Sequence, residues 1–221
     1  MNKYSITILY KERSEKFVRR AIPLLEFMKP EEDFSKELSE FEERLFTPEV
    51  DGGDIASYAM DYAASLAEEY MLLSDGIYSA VLTSLYHLWE RDIRDLCKHK
   101  SSYDPITRNG KKVLEQNIQN YDYETLKSLL MYWGAQGSIF HDVNILRLVV
   151  NTIKHGRGPS AKQLLESNRG YYCKLAMFCS LEVIDCQIDY EELDRLGIND
   201  IKHFGTALST FWALLGENIS A

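Results

Sequence analysis

Between Ile77 and Leu96 the apolar residues Ile77, Val81, Leu85, Leu88, Trp89, Ile93 and Leu96 recur at steps of three and four. That period lays side chains along one stripe of an α-helix, whereas a strand would alternate them across two faces. The same spacing returns near the C-terminus in Ile201, Phe204, Leu208, Phe211, Trp212 and Leu215. Amphipathic helices cannot bury such stripes alone, so the chain is expected to be mainly α, a helical bundle.

Further helices are expected over "KERSEKFVRRAIPLLEFM" and "DFSKELSEFEERLF", the second with Phe34, Leu38, Phe41, Leu45 and Phe46 on one face. The Ala-rich "GDIASYAMDYAASLAEEYMLL" reads as a helix that breaks at "SDG" and forms a long antiparallel pair with the 77–97 helix. "KHKSSYDPITRNGKK" reads as a polar loop, "YDYETLKSLLMYWG" as a shorter helix, and "YYCKLAMFCSLEVIDCQI" as a segment that permits a strand. The division expected is an acidic accessory helical segment, 1–53, followed by the bundle, 54–221.

Charge narrows the function classes. The net charge is −9, which repels phosphate backbones at long range and argues against broad nucleic-acid binding. The average conceals a polarity: residues 26–54 hold 11 acidic and 3 basic side chains, whereas residues 147–169 hold 5 basic and one acidic. The acidic stretch 31–54 reads either as a solvated helix face or as a contact for a basic protein partner. Weakly charged residues 71–89 are interrupted by Asp75 and Gly76, so neither a membrane span nor membrane association is expected. No signal sequence is read at the N-terminus. The four cysteines have no C-x-x-C spacing, so they are expected as reduced thiols in a cytoplasmic protein. No metal or cofactor is called for: His, Cys and carboxylate spacings fit no ligand set, and no Gly-rich phosphate loop occurs.

Chemistry gathers in "LRLVVNTIKHGRGPSAKQL", residues 146–164. Asn151 and His155 are four apart, about 40° of rotation and about 6 Å of rise, and Arg147 lies a further four back. Lys154 and Arg157 bracket the histidine, and Lys162 follows in the next helical turn. An imidazole among fixed cations suits metal-free RNA cleavage, in which histidine takes the 2′-hydroxyl proton and the cations hold the phosphate. The bland reading is a helix C-terminus whose basic residues answer the macrodipole. His87, inside "LYHLWE", reads as a hydrogen-bonded, half-buried ring, with Glu90 able to orient a ring nitrogen of the histidine helix.

"NTIKHG" after an apolar helix, with "LYHLWERDIRDL" upstream and "IKHFGTALSTFWALL" at the end, resembles the HEPN superfamily of helical-bundle proteins over roughly residues 54–215. The resemblance implies a late helix bearing Arg, a spacer of four to six residues, and His. It also implies metal-independent ribonuclease activity in catalytic members, many of them toxins or effectors of defence against phage, with a site shared across a homodimer. His155 takes the place of the family histidine and Asn151 that of the polar residue. Val150 stands where the family arginine is expected, and Arg147 precedes His155 by a spacer of seven residues. A second place, Arg94 to His99, matches the family spacing literally, with a solvated helix end as its bland account. The resemblance implies either an endoribonuclease or a catalytically inactive relative that binds protein, RNA or nucleotide.

Overall fold

A computed structural model of the chain describes residues 3–27, 30–45, 52–103, 107–108, 111–112, 120–176, 178–182, 186 and 194–220. The chain is a mainly α helical bundle of eight described helices. They are α1 (Lys3–Phe27), α2 (Pro30–Leu45), α3 (Gly52–Tyr103), α4 (Tyr123–Tyr132), α5 (His141–His155), α6 (Pro159–Ser167), α7 (Arg169–Ala176) and α8 (Ile198–Ser220). One single-turn 3-10 helix, Gly137–Phe140, leads into α5, and two-residue strands pair Thr107–Arg108 with Lys111–Lys112 antiparallel. Among the described residues no helix is long and apolar enough to cross a membrane.

The stripes read from spacing form the core. Leu85, Trp89, Ile93 and Leu96 of α3 and all six named residues of α8 are buried, while Ile77 and Val81 pack at its margin. Aromatic rings tie the layers edge to face: Trp89 and Phe140 each meet the Phe211 ring, at centroid distances of 5.6 and 5.4 Å. Helix α1 belongs to this same core. Tyr10 packs on Trp212, Ser209 donates to Glu15, and Arg13 pairs with the buried Asp92 of α3. Rising α1 numbers meet falling α8 numbers, so these two helices run antiparallel. Their closest approach uses glycine: a Cβ at Gly205 would lie 2.6 Å from Val18 Cγ2, and one at Gly216 2.6 Å from Thr7 Oγ1.

Three expectations are corrected. The chain does not break at "SDG"; α3 is one helix of 52 residues, so no antiparallel pair forms between its halves. A mid-helix glycine costs only about 1 kcal/mol, and the buried Asp75 is held by Arg195 at 2.6 Å, so the turn is pinned in helical form. The segment that permitted a strand is instead α7 followed by a turn at 178–180. Cys173 and Cys186, expected as thiols, are disulfide-bonded, with Cα atoms 5.5 Å apart; Cys97 and Cys179 are free.

Helix α2 packs on the N-terminal half of α3, where Phe41 stacks on Tyr62 at 3.8 Å and Tyr62 and Tyr70 donate to Glu37. Phe46 with the rest of residues 46–51 of the acidic segment, and residues 177, 183–185 and 187–188 of the strand candidate, lie outside the described residues.

Candidate functional site

Helix α5 carries Val143, Ile145, Leu146, Leu148, Val149, Val150 and Thr152 inward, leaving one polar flank. Taking Arg147 as zero, Lys154 lies at about −20°, Asn151 at about +40° and His155 at about +80° around the axis. Consecutive residues diverge by about 100°, so Lys154 and His155 leave the helix in different directions. Gly156 ends it with φ +60°, and its N–H donates to the Thr152 carbonyl at 2.8 Å. That left-handed backbone favours glycine and turns the chain into α6, whose first residue is Pro159.

The predicted residues part company in consequence. His155 is exposed at the end of α5, and no hydrogen bond or ion pair from the described residues reaches its ring. Arg147 is half-buried: its guanidinium lies 4.8 Å from the Tyr123 ring centroid and donates twice to Asn144 Oδ1, at 3.1 and 2.9 Å. Asn151 is half-buried and Lys162 exposed on α6. Arg157 turns away from His155; its Nε donates to the Ser180 carbonyl at 2.5 Å and it pairs with Glu182 at 2.6 Å. Ser180 and Glu182 lie between the two bonded cysteines. Arg94 and His99, five apart, fall about 140° from each other around α3 and so form no common site.

Lys154 joins a group that spacing alone did not assemble. Its Nζ lies 2.7 Å from His87 Nε2, and His87 Nδ1 lies 3.3 Å from Glu90 Oε2. The other Glu90 oxygen accepts from Arg94 at 3.0 Å, and Arg94 also donates to the Tyr121 carbonyl at 3.0 Å. His87, Glu90 and Arg94 are spaced three and four apart, so they share one stripe of α3. An ammonium can only donate. Nε2 therefore accepts from Lys154, and the ring proton sits on Nδ1, donated to Glu90. The carboxylate orients the ring of His87, on its own helix, rather than that of His155.

Electrostatics follow the geometry. Burial pushes the Glu90 carboxyl up, but the Arg94 hydrogen bond and charge, joined by His87, outweigh it and hold the group below the usual glutamate range. Burial raises the Tyr86 and Tyr123 hydroxyls above the ordinary tyrosine value, and the Arg147 charge opposes both shifts. Arg147, Arg94 and Glu90 thus act on the same aromatic wall, and the Tyr86 ring lies 5.9 Å from that of His87.

Lys154 has His155 as its neighbour in the chain and His87 as its neighbour in space, and the Lys154 and His155 side chains leave α5 about 100° apart. Among the described residues no group of three or more His, Cys, Asp or Glu is placed to hold a metal ion. The signal for His87 was present as the His87, Glu90, Arg94 spacing, but its link to Lys154 spans 67 residues of sequence. Comparison with protein-family models, curated proteins and solved structures yields no match to this chain.

Proposed function

We propose that this chain is a HEPN-like, metal-independent endoribonuclease that cleaves RNA by attack of a 2′-hydroxyl on the adjacent phosphate. The observation that carries the reading is the 2.7 Å approach of Lys154 Nζ to His87 Nε2, with the exposed His155 next to Lys154 in the chain. Transesterification needs a base for the 2′-oxygen, an acid for the departing 5′-oxygen and a cation on the non-bridging oxygens. His155 takes the 2′-hydroxyl proton. Lys154 leaves His87 for the phosphate, and Nε2, relieved of that donor, takes up a proton from water, supported by Glu90 at Nδ1, and passes it to the 5′-oxygen. Asn151 lies on the same α5 flank, while Arg147 is held by Asn144 and the Tyr123 ring. Such an activity suits a toxin or a defence effector.

The test is incubation of purified protein with mixed RNA in EDTA, beside His155→Ala and His87→Ala. Cleavage that survives EDTA and is lost in both variants supports the proposal, and no cleavage at any protein concentration rejects it. The second reading, a silent helical module that binds protein or RNA, draws on the engagement of both arginines: Arg147 with Asn144 and Arg157 with Glu182. A homodimer is part of the first reading. A monomeric mass in solution with full activity would remove it.

A further inference from the structure

At the other flank of the bundle, α1 and α3 enclose a cleft of about 600 Å³. Its floor is apolar, built from Phe17, Leu24 and Leu25 of α1 and Ile77, Val81 and Leu88 of α3. Leu24 is 69% exposed, a large apolar side chain left without cover. The rim is cationic: Arg13, Lys16 and Arg20 line the α1 side, and Arg91 the α3 side. Arg13, with Arg91 at 3.5 Å, answers Asp92, whereas Lys16 and Arg20 are exposed and carry no ion pair among the described residues. In a chain of net charge −9, this is a local inversion unrelated to the His87 and His155 site.

We infer that this cleft is a docking groove for an acidic amphipathic helix of a partner protein. Arg13, Lys16 and Arg20 stand one turn apart, a row about 10 Å long parallel to the apolar floor, in which Asp92 answers Arg13 and the charges of Lys16 and Arg20 face outward. A single anionic headgroup would call for cations converging at one end. A row at this pitch matches carboxylates spaced three and four apart along a helix, while the apolar face of the same helix fills the floor. The chain's own α2 has this chemistry, but Phe41 is stacked on Tyr62 and Glu37 accepts from Tyr62 and Tyr70. Because α2 is engaged on α3, the occupant is a helix of another protein with the same pattern.

The test uses the full chain and a fluorescent synthetic peptide with the sequence of residues 30–46, read by anisotropy. Saturable binding is expected, weakened about tenfold by Lys16→Glu with Arg20→Glu and by raised salt. Leu24→Ser, at an exposed position, is expected to weaken it without changing the charge. A scrambled peptide of equal charge should fail. The inference is overturned by equal binding of scrambled and ordered peptides, by indifference to both variants, or by binding of dodecanoate but not peptide. A dimer of the chain that dissolves on Arg20→Glu would assign the groove to a second copy and overturn it equally.

Discussion

Lys154 and His87, 67 residues apart in sequence, meet at 2.7 Å, nitrogen to nitrogen, across the seam between α5 and α3. The contact neutralises neither group by an opposite charge, since among the described residues the carboxylate in the chain of contacts, Glu90, reaches the far side of the ring. An anion drawn to Lys154 would therefore break no ion pair. Removing either imidazole should lower EDTA-resistant RNA cleavage by about 10²–10⁴-fold, the usual range for a positioned acid or base. Lys154→Gln should raise KM more than it lowers kcat if the ammonium holds the phosphate in the ground state. All three side chains are exposed, so circular dichroism should be unchanged, and steady-state kinetics measure the rest.

Glu90 gives a pH dependence of stability. Its folded pKa is depressed, so its stabilising contribution is complete above the ordinary glutamate value of about 4.3 and disappears as pH falls through the lower folded value. The half-exposed pairing is worth about 0.5–1 kcal/mol. Melting curves of the wild type and Glu90→Gln should differ by a constant amount from about pH 7 to about pH 5 and converge as pH falls below about 4.3 through the lower folded value. Divergence on acidification would reject the assignment.

Much of this was legible in the order of residues, and the reason is local. The α8 stripe and the Leu85 to Leu96 stripe needed only a 3.6-residue period, and Gly156 announced the end of α5. Helix continuity at Asp75 was not legible, because it depends on Arg195, 120 residues away. The bracket of cations around His155 was legible as spacing but not as direction: Lys154 diverges by about 100° from its neighbour, and Arg157 is drawn off by Glu182. Nor does spacing pair cysteines; the bond needs the chain after α7 to fold back.

The Cys173–Cys186 bond closes a loop of 13 residues that includes both partners of Arg157. Cys173→Ser should cost about 3 kcal/mol by the loop-entropy account, seen as a lower melting temperature that reductant no longer shifts. A dithiol reductant, itself oxidised to a disulfide, yields two protein thiols and loosens the hold of Ser180 and Glu182 on Arg157. Reduced protein should then bind RNA with a log affinity against log salt slope steeper by ~1 than oxidised protein, one more phosphate contact. Equal slopes would show that Arg157 stays with Glu182.

Gly205 and Gly216 set how close α1 comes to α8. Gly205→Ala should destabilise by about 1–3 kcal/mol from the clash with Val18, less the gain of about 1 kcal/mol in helix propensity. Adding Val18→Ala should recover most of the loss, whereas Gly76→Ala, with nothing within 4 Å, should stabilise. Chemical denaturation of the three variants beside the wild type measures this.

The unbroken run of α3 has a mechanical side. Some 35 residues separate its start at Gly52 from His87, about 53 Å of helix, and exposed Tyr58 and Met60 stand near the far end. A rod of hydrogen-bonded turns barely compresses, and Asp75, held by Arg195 at 2.6 Å, fixes it to the bundle between those residues and the imidazole. With α2 packed along its N-terminal half, that arm is braced against bending by a second helix.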